Sequence, residues 1–151
     1  MIEYKTGNMF LEDVEALVNP VNCVGVSGKG LALQFKKQWP RNFKIYSSEC
    51  HQNLVQPGKI LLVPTGSCTN PLYILNFPTK RHWKDKSKIE DIENGLLNLA
   101  QTIRLFGIRS VAIPALGCGL GGLDWKDVRK LIEKVLLDLS SEIRIVVFQP
   151  L

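Results

Sequence analysis

Pro114–Trp125, reading PALGCGLGGLDW, constrains this chain more than any other stretch. A short apolar run, Ser110–Ala115, enters it, and a long amphipathic run, Asp124–Leu139, leaves it. Between them stand Gly117, Gly119, Gly121 and Gly122. A strand that passes through a glycine loop into a helix can bind an anion. Glycine lets the backbone turn tightly and come close to a ligand, and the N–H groups of the loop and helix start then point at negative charge. One such loop fits a plain strand–helix turn equally well. A second loop of the same character shifts the balance: Asn22–Ala32 (NCVGVSGKGLA), with Gly25, Gly28 and Gly30, follows a short apolar run at Ala16–Val21. Two such units in one small domain can grip opposite sides of one diphosphate. Neither is a common nucleotide loop. A dinucleotide fingerprint lies in one βαβ unit, with an acidic residue about 20 positions on. In a mononucleotide loop a hydroxyl residue would stand where Leu31 follows Gly28-Lys29-Gly30.

The rest of the chain alternates strands and helices. Strands are expected at Met1–Lys5, Ala16–Val21, Lys59–Pro64, Leu72–Phe77, Ser110–Ala115 and Ile143–Phe148. Helices are expected at Leu31–Trp39, Arg41–Gln52, Ile89–Phe106 and Asp124–Leu139, from apolar residues recurring at helical spacing. Pro40 ends the first and can start the second, and Gly107 ends the third. Turn signals at Thr65-Gly66-Ser67 and Asn70-Pro71 make the middle pair a hairpin or close neighbours. The pattern predicts one α/β domain over residues 1–151, a three-layer sandwich around a mixed sheet. The chain stops two or three residues after its last strand, which also fits a domain of a longer protein.

The apolar fraction of 45% and the charged fraction of 22% are ordinary for a globular chain. No apolar run approaches the roughly 20 residues of a membrane span, and the N-terminus lacks the layout of a secretory signal. A cytoplasmic protein is expected, with no membrane partner. The net charge of +5 is a moderate excess, concentrated at Lys80–Lys88 (KRHWKDKSK). Such a run usually is an exposed loop; it can also follow a nucleic-acid backbone, with Trp83 available for stacking. Cys23, Cys50, Cys68 and Cys118 form no CxxC pair, so reduced and mostly buried thiols are expected. No metal cluster is visible and no cofactor is implied. Asn19 and Asn22 bracket Pro20 at a strand end, where an asparagine caps a turn or points its amide at a ligand; the pattern favours the cap.

Together these residues resemble a macrodomain, the ADP-ribose-binding α/β/α module, along essentially the whole chain. Thr6-Gly7-Asn8-Met9 resembles the family's Gly-Asp pair after the first strand, and Ala16–Asn22 its second-strand signature. The loops Gly25–Gly30 and Gly117–Gly122 match its two diphosphate loops. Gly28-Lys29-Gly30-Leu31-Ala32 and Thr79-Lys80 are most similar to one branch, that of terminal ADP-ribose glycohydrolase and the DNA ADP-ribosyl glycohydrolase (DarG) antitoxins. The resemblance implies an enzyme that removes ADP-ribose from DNA bases, thymine among them, and so counters a DNA ADP-ribosyltransferase toxin. It implies ADP-ribose, ADP-ribosylated single-stranded DNA and a cognate toxin as partners, and a monomer.

The resemblance also assigns roles. Lys80 is the reactive group, and Asn22 contacts the distal ribose. Asn8, Met9, Asn19, Gly25, Val26, Gly28, Lys29, Gly30, Leu31, Thr79, Gly117, Cys118, Gly119, Leu120 and Gly121 bind substrate. Two positions depart from the family. Asn8 stands where an aspartate usually accepts from the adenine amino group, and Gly121 aligns with an aspartate of the human enzyme's second loop; Asp124 lies three positions further on. Lysine is a nucleophile only when neutral, and its cationic neighbours Arg81, Lys84 and Lys86 favour that form. Taken alone, the run makes Lys80 one exposed lysine among several. The Thr79-Lys80 match turns the reading toward catalysis. A non-catalytic ADP-ribose reader would need the loops but not Lys80. A plain DNA-binding protein would need the run and leave the loops unexplained.

Overall fold

A computed structural model describes residues 1–151. Six strands, β1 (Ile2–Lys5), β2 (Ala16–Asn22), β3 (Leu61–Pro64), β4 (Tyr73–Lys80), β5 (Ser110–Ile113) and β6 (Arg144–Phe148), form one sheet in the order β1-β6-β5-β2-β4-β3. All neighbours are parallel except β3, which pairs antiparallel with β4 through the expected hairpin. Parallel strands need helical crossovers that cover both faces, which explains why β2 and β4 are buried almost throughout.

Helices α1 (Gly30–Gln38) and α2 (Pro40–His51) cover one face, and α3 (Ile89–Leu105) and α4 (Trp125–Leu136) the other. The larger core lies under α3 and α4, where Ile92, Leu96, Leu99, Val128, Ile132 and Leu136 meet Val18, Leu75, Phe77 and Val147. Burying a side chain of this size contributes roughly 1.5–3 kcal/mol. Gly95 lets α3 settle on β4, because a Cβ there would lie 2.3 Å from the Phe77 ring. On the other face Phe35 of α1 packs with Phe10 and Trp39, and Tyr46 of α2 with Val21 and Val55. No helix is long and apolar enough to cross a membrane.

Most elements fall where the sequence puts them, and three differences matter. First, β4 runs through Lys80 rather than stopping at Phe77. Pro78 is tolerated because β3 covers only Tyr73–Asn76, so this part of β4 has one partner. A register shift between Val21 and Asn22 then places Asn22 opposite Lys80. Second, α4 ends at Leu136, and the remaining turn is a separate 3-10 piece at Leu139–Ser141. Third, the thiols are less buried than expected: Cys50 is buried, Cys23 and Cys118 are half-buried, and Cys68 is exposed.

Candidate active site

Both glycine loops and Lys80 lie at the carboxyl ends of neighbouring strands. The loop after β5, the loop after β2 and the end of β4 sit side by side, because β5, β2 and β4 are adjacent in the sheet. In an open α/β sheet this edge is where ligands bind.

Asn22 builds the first loop. Its Oδ1 accepts from the N–H groups of Val24, Gly25 and Val26 at 3.0, 3.1 and 3.4 Å, and its Nδ2 donates to the Val26 carbonyl at 2.7 Å. The Tyr46 hydroxyl lies 2.7 Å from the Asn22 carbonyl and 2.8 Å from Oδ1, its one proton shared between them. Burial pushes the Tyr46 hydroxyl well above the usual phenol range, so it remains a donor. Asn22 is thus chiefly a cap, with one amide N–H left for a ligand. Beyond this clamp the N–H groups of Ser27, Gly28 and Lys29 donate to no group of the protein. Gly25 and Gly30 take φ of +86° and +60°, a region costly for other residues.

The second loop folds on itself. Leu123 N–H donates to the Gly117 carbonyl at 2.9 Å, and Gly122 N–H to that of Gly119 at 3.2 Å. Ser87 lies beneath: its N–H donates to the Gly121 carbonyl at 3.0 Å, and its buried Oγ has no partner. A Cβ on Gly121 would come within 2.2 Å of that Oγ and 2.5 Å of the Gly117 carbonyl oxygen. An aspartate therefore cannot stand at Gly121 in this backbone. Asp124 does not replace it, because its Oδ1 accepts from Lys126 N–H at 2.9 Å and caps α4. The N–H groups of Gly119, Leu120 and Gly121 donate to nothing in the protein. Two sets of free backbone donors on adjacent loops can together bind an anion.

Lys80 is the last residue of β4, and its Nζ donates to the Trp83 carbonyl at 3.3 Å. Partial burial lowers its pKa below the ordinary 10.5. Lys86 and Lys29 push it further down, and Asp85 opposes them. Lys29 belongs to the first loop, and Lys86 lies over Gly122 of the second, with its side chain 3.3 Å from where a Cβ would sit. One cation of the first loop and one from the basic run, lying over the second loop, therefore act on Lys80. Thr79 beside it is buried, with Oγ1 donating to the Val21 carbonyl at 3.4 Å.

Other expected site residues are placed differently. Asn8 is exposed at the carboxyl end of β1, and its Oδ1 already accepts from Phe10 N–H at 3.0 Å, leaving one lone pair for a ligand. The Met9 side chain is in the core. Asn19 is buried mid-strand rather than capping a turn or facing the loops. Its Nδ2 donates to Asn76 Oδ1, and Asn76 in turn bonds Asn42 of α2 and the Leu61 carbonyl of β3. Leu31 packs on the α1 side, and Leu120 is exposed at the loop tip. Cys118 lies in the second loop, and Cys23 adjoins the first. Burial, helped by Asp124 at Cys118 and Cys50 at Cys23, raises both thiols to about 11, so neither is a thiolate near neutral pH. Tyr46 and Ser87, which hold the two loops from below, were not read from the sequence as site residues.

Residues 18–132 match the Macro domain family. The chain is a macrodomain. It is 46% identical over 99% of its length to a DNA ADP-ribosyl glycohydrolase of Mycobacterium tuberculosis, of which it spans 42%. The macrodomain superimposes on the M. tuberculosis DarG macrodomain with a TM-score of 0.97, covering 99% of that chain, and on the Thermus aquaticus DarG macrodomain with 0.95 at 43% identity and 99% coverage. It also matches Thermosipho africanus DarTG in complex with ADP-ribose at 37% identity and a TM-score of 0.90, covering 42% of that chain. The macrodomain thus spans about two-fifths of the length of the curated relatives it matches.

Proposed function

We propose that this macrodomain hydrolyses the N-glycosidic bond between ADP-ribose and a DNA base, thymine being the first candidate, and so reverses the action of a DNA ADP-ribosyltransferase toxin. The names and likeness of the DarG relatives support this reading. The observation that carries it is Lys80, an amine held toward its neutral form beside two loops of unpaired N–H groups. The loops hold the diphosphate and place the anomeric carbon of the distal ribose near Nζ. A neutral amine can attack that carbon while the base departs with the bonding electrons, and the proton that the new C–N ammonium loses balances the one the base anion takes up. Ring opening then gives an imine that water hydrolyses, releasing ADP-ribose and restoring Lys80. Asn22 shapes the first loop and can offer its remaining N–H to the ribose. With Gly121 closed to a carboxylate and Asp124 engaged in a cap, no acid from the second loop is part of this scheme.

The test is incubation of the domain with single-stranded DNA carrying one ADP-ribosyl thymine, with release of ADP-ribose as the readout. Lys80→Ala is expected to lose release by at least about a thousandfold while free ADP-ribose still binds, because diphosphate contacts come from other segments. Lys80→Arg is expected to fail nearly as badly, since guanidinium stays protonated. Full activity in Lys80→Arg would reject the nucleophile. Binding of ADP-ribose with no release by the wild-type protein would leave a reader module instead.

A further inference from the structure

The strand order also orders the ligand. Along the carboxyl edge of the sheet the sequence of elements is β1, β6, β5, β2, β4, β3. Asn8 follows β1, the second glycine loop follows β5, the first follows β2, and Lys80 ends β4. An ADP-ribosyl group with adenine at Asn8 and its diphosphate on the loops reaches Lys80 with its last carbon. Whatever that carbon carries must lie beyond, toward the β3 edge. A cavity of about 540 Å³ opens there, lined by Cys23, Asn53, Gln56, Arg81, Asp91 and Asn94, with Val55 and Pro57 as its apolar surface. Its wall is continuous with the Lys80 strand: Arg81 follows Lys80, and the Arg81 carbonyl accepts from Cys23 N–H at 3.3 Å. Of its lining residues only Cys23, at the start of the first loop, belongs to the glycine loops, and Lys80 is not among them.

We propose that this cavity receives the departing nucleobase of a DNA strand; the assignment rests on the glycohydrolase reading above. It is open to solvent on one side, and its volume exceeds what a pyrimidine needs. Three amide side chains rim it. Those of Asn53 and Asn94 make no hydrogen bond within the protein, and the Oε1 of Gln56 is free while its Nε2 donates to the Asn53 carbonyl at 2.9 Å. Each amide offers N–H donors, which suits the two carbonyl oxygens flanking N3 of thymine; N1 carries the DNA sugar, so N3 is the nitrogen that carries the ADP-ribosyl group. The charges in the wall cancel. Arg81 Nε and Nη2 donate to Asp91 at 3.1 and 3.2 Å, fixing the guanidinium in place. A wall with no net charge and several amide N–H donors fits an uncharged base flanked by two carbonyls, where an ADP-ribosyl ester of a protein carboxylate offers one. Exposed Lys84, Lys86 and Lys88 on the loop after β4 are then available to the flanking phosphates.

The test compares two substrates and one ligand on the wild-type domain, Asn94→Leu and Gln56→Leu. The substrates are a single-stranded oligonucleotide with one ADP-ribosyl thymine and a protein ADP-ribosylated on a carboxylate; the ligand is free ADP-ribose, followed by calorimetry. Each variant is expected to lose about tenfold in kcat/KM on the oligonucleotide, the value of one hydrogen bond. The Kd for free ADP-ribose should stay within about twofold, which also shows that the variants are folded. Unchanged kcat/KM on the oligonucleotide in both variants would overturn the cavity assignment while leaving the glycohydrolase reading intact. An equal loss on the protein substrate would likewise reject a nucleobase site. A wild-type domain that releases nothing from the oligonucleotide would remove the glycohydrolase reading itself and the cavity assignment with it.

Discussion

In the proposed reaction the chemistry at Lys80 depends on one proton. The amine attacks only when neutral, and its pKa is held below 10.5 by partial burial, then by Lys86 and Lys29, against the pull of Asp85. The turnover number of the proposed reaction therefore rises with pH through the Lys80 pKa and levels above it. Removing a neighbouring positive charge makes protonation of Lys80 easier. Lys86→Ala is thus expected to raise the Lys80 pKa and move the rising limb to higher pH. Asp85→Asn removes the one opposing charge and should move the limb to lower pH. The measurement is kcat against pH at saturating substrate, which keeps any weakened DNA contact of Lys86 out of the comparison. A limb that shifts in neither variant would mean that another group titrates. The two cysteines nearest the loops are poor candidates for that group, since both thiols are raised to about 11 by burial.

At the scale of elements, the glycines of one loop do different jobs. At Gly119 a Cβ would meet nothing within 4 Å, whereas at Gly121 it would meet the Gly117 carbonyl oxygen at 2.5 Å. Gly119→Glu should therefore keep the fold, with the melting temperature within about 2 °C of wild type. Its carboxylate would stand beside a bound diphosphate and should weaken ADP-ribose at least tenfold by like charge. Gly121→Ala must reshape the loop, and losing one aligned N–H donor to an anion costs roughly 1.5–3 kcal/mol, or about ten- to a hundredfold in Kd. Calorimetry on both variants checks this; wild-type affinity in both would remove the second loop from the phosphate site. The loops themselves were legible because their tight turns and close packing demand glycine at Gly25, Gly30, Gly117 and Gly121, and glycine is visible in a sequence. The end of β4 was not, because Pro78 reads as a strand breaker until one knows that β3 stops at Asn76's partner Leu61. Ser87 and Tyr46 were not legible either. A buried serine and a core tyrosine at ordinary spacing give no sign that they support loops far away in the chain. Asn22 read correctly as a cap from its place at the strand end, while Asn19, read the same way, went to a buried amide network that only the packing of α2 against β4 and β3 creates.

For the whole molecule, the net charge of +5 matters through where it is left unpaired. The ion pairs of the fold engage Lys5, Arg81, Arg104, Arg129, Lys134 and Arg144. Within Lys80–Lys88 only Arg81 is bound in this way, so Lys84, Lys86 and Lys88 stand exposed and uncompensated beside the site. Trp83 among them is half-exposed, with the Lys84 ammonium 5.1 Å from its ring and His82 tilted against it at 5.4 Å. A strand of DNA laid here would gain phosphate contacts from Lys84 and Lys88 and a stacking surface on Trp83 that lie away from the glycine loops. The two ligands should then respond differently to salt. If three lysines neutralise phosphates of a single strand, the logarithm of affinity for an ADP-ribosyl oligonucleotide falls against the logarithm of salt concentration with a slope of about −2. Free ADP-ribose, held mainly by backbone N–H groups, should show a shallower slope. Replacing Lys84 and Lys88 by Gln should bring the oligonucleotide slope toward the ADP-ribose value while leaving ADP-ribose affinity nearly unchanged. Titrations of inactive Lys80→Ala protein at several salt concentrations measure both slopes without turnover. Equal slopes for the two ligands in the unmodified basic run would show that the DNA strand leaves the domain by another route.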